Sequence, residues 1–405
     1  MDAPGPHRPP PPPPPPRRRR PLGRLGTLAA WALAVPALAS SLAWTFSGAD
    51  WRVDLVAAGG AQLLLACALI ALACAALRRR WPLVTALAAC ALHAVPLTSG
   101  RAAWWPAPAA APADPPAPGV VRFLHYNDSS RSDKADVDRL MRASGADVLS
   151  ILCPPLKMQF EVIYGPGLED RYPGKLTREW KAASDGLLTE VTAGFLVSRW
   201  PVGPVDLSCT GPLADRFIAG VVERPEGAFV VIAVHPRSPR TLRRWIEGNL
   251  VVEALARLAA QERAKGLPVV VLTDLNATPT AYRSRFLAAE AGLRRAKPLL
   301  DPSGTYPFQV TLDVPTDKTP VIARPDAWRA RWPVALAIDD ALVSPEIGVR
   351  GWTCGDPVGR SDHRPVRVDL FIPPPAPGAS HPAAPAPPAP GKAPGATDEP
   401  NRSGR

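Results

Sequence analysis

The sequence predicts a layered α/β domain carried behind a helical, membrane-spanning N-terminal region. Three observations predict it. Three apolar runs of spanning or near-spanning length precede residue 105, β-branched strand-like runs alternate with helical stretches between 119 and 372, and the prolines gather outside both regions. The 53 prolines of this 405-residue chain concentrate in 9–16, 106–118 and 373–400, segments that bury no core and read as extended tails or linkers. The expected organisation is a Pro/Arg-rich cytoplasmic tail (1–24), three transmembrane helices (25–105), an Ala/Pro linker (106–118), a globular domain (119–372) and a disordered Pro/Ala-rich tail (373–405).

Arg17 to Arg20 and Arg24 precede the first apolar run, 25–46, which at ~1.5 Å per residue is long enough to cross a ~30 Å hydrocarbon core. A polar turn at 47–52 leads to a second run, 55–77, closed by Arg78, Arg79 and Arg80. The third, 81–98, contains His93, read as a packed or interfacial residue, and ends near Trp104 and Trp105. A cleaved signal peptide would account for the first run alone; the two that follow favour an intact anchor. With the arginine clusters on the cytoplasmic side, three spans make the chain an integral protein of the cell membrane, in contact with lipid, its N-terminus cytoplasmic and its C-terminal domain extracytoplasmic. The Ala/Pro linker is expected to lift that domain off the membrane.

Net charge is +11, which invites a nucleic-acid partner until it is divided along the chain. Residues 1–118 hold 11 Lys+Arg against 4 Asp+Glu and residues 373–405 hold 3 against 2, leaving the domain near neutral at 33 against 30. The basic excess therefore belongs mostly to the membrane region. The six cysteines show no Cys-x-x-Cys spacing, which argues against a zinc site, and Cys209 with Cys354 is a candidate disulfide in an exported domain.

Within the domain, 120–126 reads as a strand, 133–144 as an amphipathic helix with Val137, Leu140 and Met141 on one face and Gly145 as its stop, and 147–152 as the next strand. Strand 229–234, helix 242–260 and strand 269–272 continue the alternation. Four strand ends carry polar groups. They are Gly359-Arg360-Ser361-Asp362-His363-Arg364-Pro365-Val366, Val269-Val270-Val271-Leu272-Thr273-Asp274-Leu275-Asn276, Ala337-Ile338-Asp339-Asp340-Ala341-Leu342-Val343-Ser344, and Val230-Val231-Ile232-Ala233-Val234-His235. An Asp-His pair just before a strand sets a carboxylate beside an imidazole at one end of a sheet, a combination suited to holding a divalent cation or a proton at a phosphate.

In content and order these stretches, with Gly194-Phe195-Leu196-Val197-Ser198-Arg199-Trp200-Pro201-Val202, resemble the endonuclease/exonuclease/phosphatase superfamily, whose motifs read Gly-Asp-x-Asn, Ile-Asp-His and Ser-Asp-His. The resemblance covers about residues 119–372 and implies a four-layer α/β/β/α sandwich, two packed mixed β-sheets flanked by helices. It also implies Mg²⁺ or Mn²⁺ as cofactor. Carried over position by position, Asn127 matches the first-strand Asn, Asp274 and Asn276 the Gly-Asp-x-Asn pair, Asp339 the orienting carboxylate, and Asp362 and His363 the closing pair. His235 matches a histidine that touches phosphate. The implied roles are catalytic for His363, Asp339, Asp274, Asn276 and His235, substrate-binding for Asn127, Asn276 and His235, and metal-binding for Asp362 and Asp274. Thr273 stands where glycine is usual.

The departure is at the second strand, where the superfamily's metal-binding Glu falls on Cys153. A thiol is a poor ligand for Mg²⁺, which prefers oxygen. Glu161 or Asp128 could replace the carboxylate if its loop bent inward, and Asp340, where His is usual, is either a compensating ligand or drift. The resemblance implies a membrane-tethered, extracytoplasmic, metal-dependent phosphoesterase or nuclease acting on a phosphate ester: nucleic acid, lipid phosphate or small molecule. The alternative is a catalytically impaired relative serving as a phosphate-binding or scaffold module, for which Cys153 is the signal.

Overall fold

The computed structural model describes residues 22–103, 117–129, 132–154, 171–178, 194–301, 303–307, 335–359 and 361–374. Five helices come first: α1 (Leu22–Ser41), α2 (Ala43–Phe46), α3 (Trp51–Ala58), α4 (Gly60–Ala76) and α5 (Arg80–Thr98). α1, α4 and α5 are apolar around most of their surface. Leu28, Leu33, Leu69, Leu72 and Leu87 project outward, while small residues (Ala37, Cys67, Ala89) form the contact between α1, α4 and α5 and let the helices approach closely. Arg24–Phe46 and Arg80–Thr98 are each long and apolar enough to cross a membrane. The second expected span is broken: α3 and α4 meet at 63°.

The domain holds two six-stranded mixed sheets. The first runs β13 (Gly348–Cys354), β14 (Val366–Phe371), β1 (Val120–Asn127), β2 (Val148–Leu152), β4 (Gly194–Ser198), β3 (Gly174–Arg178). The second runs β5 (Val202–Pro204), β6 (Phe217–Arg224), β7 (Gly227–Val234), β8 (Val269–Asp274), β12 (Asp339–Val343), β9 (Arg294–Arg295). A short pair, β10 (Tyr306–Pro307) with β11 (Ala335–Leu336), stands apart. Parallel pairing occurs between β1 and β2 and between β7 and β8, each joined by a helical crossover, α6 (Lys134–Ser144) and α7 (Leu242–Ala264).

Side-chain alternation explains the layering. Val121 and Phe123 of β1, Phe229 and Val231 of β7, and Val270 and Leu272 of β8 face one core between the sheets, where Phe123 meets Phe229 edge-on at 5.8 Å. Their neighbours face outward: Leu124 and Tyr126 pack under α6, and Val230, Ile232 and Val271 pack under α7 and α8 (Tyr282–Glu290). Strands buried on both faces read as unbroken apolar runs such as Val269-Val270-Val271-Leu272. The result is the four-layer α/β/β/α sandwich.

Instead of standing off on its linker, the domain is seated on the helices. The break after α3 turns its last carbonyls toward the domain, and Thr278 Oγ1 donates to Ala58 O at 2.7 Å while Thr280 Oγ1 donates to Ala57 O. Asp54 accepts from Trp245 Nε1 at 3.0 Å and from the Tyr282 amide at 2.7 Å, and Arg285 donates to Trp44 O and Ser47 Oγ. Gly60 is required by this approach, since a Cβ there would lie 2.6 Å from Thr280 Cγ2. Arg101 pairs through its backbone with Arg295 at the edge of the second sheet. All these contacts use the helix ends remote from Arg79, which lies beside Gly26 at the start of α1.

Two further expectations change. Asp340 is a structural group: its carboxylate accepts from Arg295 Nε at 2.9 Å, from Trp352 Nε1 at 3.0 Å and from the Lys297 amide, so it is no replacement ligand. Cys209 and Cys354 are unbridged and pack against different core clusters. Residue Glu161, the linker from 104 to 116 and the tail from 375 lie outside the described residues.

Replacing Asp54 with Ala leaves the Trp245 indole N–H and the Tyr282 amide without their acceptor, a loss of ~1–3 kcal/mol for each buried donor so stranded. Thermal unfolding of the full chain in detergent is expected at a lower midpoint. An unchanged midpoint would mean that the domain does not depend on its seat.

Candidate functional site

The polar cluster forms where the two sheets meet at one end. β1, β2, β7 and β8 deliver residues from their C-terminal ends, while β12 and the turn before β14 deliver residues from their N-terminal ends, because β12 runs antiparallel to β8 and β14 antiparallel to β1. Register sets Asp339 opposite Asp274. Asn127 closes β1, His235 follows β7, Asn276 lies two residues past β8, and His363 sits in the turn before β14.

Asp274 is the most heavily bonded member. Its Oδ2 accepts from Asn127 Nδ2 at 2.9 Å and Asn276 Nδ2 at 3.3 Å and lies 3.2 Å from His235 Nε2, while Oδ1 accepts from the Asn276 amide at 2.8 Å. Burial works against its charge, but His235 and His363 outweigh burial and hold the carboxyl well below its ordinary range. Asn276 reaches this geometry through a left-handed backbone, φ 50°, the kind of conformation Asn tolerates. Thr273, extended within β8, donates its hydroxyl to Val234 O at 2.7 Å and so ties β8 to β7.

His363 and Asp339 form the second half. His363 Nδ1 lies 2.9 Å from Asp339 Oδ2, and its Nε2 lies 3.7 Å from Asp274 Oδ2. The turn is pinned by Ser361, whose hydroxyl donates to Asn127 O and accepts from the His363 amide, and Thr305 Oγ1 accepts from the Asp339 amide at 3.0 Å. Burial disfavours the imidazolium, yet Asp339 and Asp274 more than compensate and raise the His363 pKa to about 9. Tyr306 packs against the ring at a tilt of 51°, centroids 4.9 Å apart.

Asp274, Asp339 and His363 present ligand atoms within 4.8 Å of one another, an oxygen and nitrogen set that fits a divalent cation. Asp362 is not in that group: its Oδ1 accepts from Ser129 Oγ at 2.6 Å and lies 3.9 Å from His363 Nε2. Asp128 is buried and accepts from the Ser132 amide. Cys153, at the expected Glu position, takes a left-handed conformation, φ 54°, that turns its sulfur back into the site, 3.2 Å from His235 Nδ1. His235 thus lies between a thiol and Asp274. Burial lowers its affinity for a proton, but Cys153 and Asp274 together raise its pKa well above the usual imidazole value.

Sequence reasoning passed over His125. It lies on the same face of β1 as Asn127, is 1% exposed, and places Nε2 3.8 Å from Asp339 Oδ1, so that Asp339 stands between two imidazoles. Period-two spacing from Asn127 was the available signal. Ser129 and Tyr306 were also missed, because neither sits in a recognisable motif.

Residues 177–363 match the model of the Endonuclease/Exonuclease/phosphatase family. Among solved structures, an endonuclease/exonuclease/phosphatase from Beutenbergia cavernae is similar at 18% identity, with 63% of this chain and 72% of that one covered and a TM-score of 0.39. A mannosyl-6-phosphatase from Bacteroides thetaiotaomicron is similar at 15% identity, covering 62% and 99%, TM-score 0.41. A 3'-5' exonuclease from Neisseria meningitidis is similar at 16%, covering 61% and 98%, TM-score 0.42. No curated protein matches the chain.

The His363 shift has a definite sign. With the folded pKa about 9 and the unfolded one at ~6.5, its contribution to stability is complete below pH ~6.5 and is lost as pH rises through about 9. In the presence of chelator, Asp339→Asn should flatten the dependence of the unfolding midpoint on pH between those values. The same slope in both proteins would rule out the pair as its source.

Proposed function

Because the chain carries a domain that matches the endonuclease/exonuclease/phosphatase family, we propose that it is a membrane-tethered, extracytoplasmic phosphoesterase that hydrolyses a phosphodiester or phosphomonoester with Mg²⁺ or Mn²⁺. The observation that carries this is the buried group of Asp274, Asp339 and His363 with Asn127 and Asn276 bonded around it. Phosphate-ester cleavage needs positioning and charge neutralisation more than covalent help, and this group offers both. A divalent cation held by Asp274 with Asp362 would neutralise charge on the phosphate oxygens and leave the proton chemistry to His363. Asn127 and Asn276 offer amide donors to those oxygens. His363, kept protonated by Asp339, faces the charge that develops on the leaving oxygen and can donate a proton to it. His235 is a second cation for the phosphate.

Membrane tethering is supported by the apolar helices and by the seating of the domain on the helix ends opposite Arg79. With arginines cytoplasmic, that end faces outward. The division of the chain at residues 24, 105, 118 and 372 belongs to the same proposal.

A specific observation favours the second reading, a phosphate-binding or scaffold module. Where a metal-binding carboxylate is expected, Cys153 is paired with His235, and Asp362 is engaged by Ser129. Hydrolysis of p-nitrophenyl phosphate and bis(p-nitrophenyl) phosphate by the full chain in detergent, with and without Mn²⁺, separates the two. Metal-dependent turnover that falls at least ~100-fold in Asp274→Ala is expected of the enzyme. Turnover seen only after Cys153→Glu would make the native protein the metal-deficient module. Retention in the membrane fraction after an alkaline wash checks the tether.

A further inference from the structure

The seam between helices and domain holds a half-open cavity of about 420 Å³, within the ~300–1,000 Å³ range of small-molecule sites. Its walls come from both sides of the seam. Ala61 and Leu64 of α4 and Leu97 of α5 face Leu299 and Leu336 of the domain, so hydrocarbon lines most of it. Two cations interrupt this lining, Arg101 and Lys297, with Asp301 as the carboxylate among them.

The charges in that wall do not balance locally. Lys297 is 5% exposed; its Nζ donates to Asp301 O at 2.7 Å and lies 3.4 Å from Asp301 Oδ1, so Asp301 is spent on it. Nearby Asp340 is spent on Arg295. Arg101 is held by carbonyls, donating from Nε to Leu97 O and from Nη1 to Lys297 O, both at 2.9 Å, and no carboxylate among the described residues forms an ion pair with it. Burial and the Arg101 charge push the Lys297 pKa down to about 8 against the pull of Asp301 and Asp340, and burial with the Arg295 charge pushes that of Arg101 down to about 10 against the pull of Asp340. Positive charge left over beside an apolar cavity is costly, and an anion entering the cavity would relieve it.

Position supplies the chemistry of that anion. The cavity lies at the domain-side ends of α4 and α5, which is the level of the lipid headgroups if the helices span the bilayer, and basic pockets between spanning helices suit phosphate headgroups. We propose that the cavity binds one chain of an anionic phospholipid, its hydrocarbon against Ala61, Leu64, Leu97 and Leu336 and its phosphate beside Arg101 and Lys297. This site is separate from the Asp274 and His363 cluster. Its walls include Thr278, two residues past Asn276, and Ala337, two before Asp339. The assignment rests on the membrane placement proposed above and not on catalysis.

Native mass spectrometry of the full chain in an uncharged detergent tests it, with lysophosphatidylglycerol, lysophosphatidylcholine and glycerol 3-phosphate as probes. One lysophosphatidylglycerol per chain is expected to bind at least about tenfold more tightly than lysophosphatidylcholine, and glycerol 3-phosphate not to bind there. Arg101→Gln should remove most of that preference, and Ala61→Trp should fill the cavity and abolish binding. If Ala61→Trp does not fold, as judged by circular dichroism, Ala94→Trp fills the same space from α5. Equal affinity for the two lipids, or full binding in a folded cavity-filled variant, overturns the site. Membrane retention is scored separately: loss of lipid binding with retention intact overturns the site alone, and a chain that washes off the membrane overturns the placement on which its lipid source depends.

Discussion

Asp339 is a carboxylate with no exposed surface at the end of an apolar core, and a charge in that position persists only where neighbours bear it. Those neighbours come from distant parts of the chain. His363 arrives on the turn before β14, His125 on β1, and Thr305 holds the Asp339 backbone from the strand pair that stands apart. Because Asp339 opens β12 of the second sheet while His125 and His363 come from the first, pairing these groups also fixes how the two sheets meet. The site is a consequence of the sandwich and a clamp on it. Closing one end of the interface with paired charges lets the remainder be filled by Val, Leu, Ile and Phe.

The same principle acts at the other junction of the molecule. A helix that ends inside a protein leaves carbonyls without partners. The break between α3 and α4 creates such an end, and Thr278 and Thr280 satisfy it from the loop that follows Asn276. The loop leading out of the polar cluster is therefore anchored to the helical region, and the catalytic candidates and the N-terminal helices share one structural element. Motion of the helices would be felt within four residues of Asn276.

Cys153 organises its part of the site around His235. A carboxylate there would repel Asp274 and Asp362 unless a cation intervened. The thiol removes that repulsion, and the backbone turn at Cys153 places the sulfur against His235, which in turn leans on Asp274. Ser129 donates to Asp362 on the other side of the cluster. Among the described residues, the group whose ligand atoms lie within 4.8 Å of one another consists of Asp274, Asp339 and His363.

What the sequence by itself determined is what depends on local order. Unbroken apolar, β-branched runs at Phe229–Val234 and Val269–Leu272 declared strands buried on both faces, the helical period at Val137, Leu140 and Met141 declared α6, and Asp274-Leu275-Asn276 and Ser361-Asp362-His363 declared the polar ends of strands. Cys153 declared itself as the departure. Only the tertiary structure decided which polar groups meet. It paired His125 with Asp339 across the sheets, gave Asp340 to Arg295, kept Cys209 from Cys354, broke the second apolar run at Gly59 and seated the domain on the helices. The physical reason is that side-chain period is a property of neighbours in sequence, whereas a buried charge or an open carbonyl is satisfied by whatever donor the fold brings within ~3 Å, at any distance along the chain.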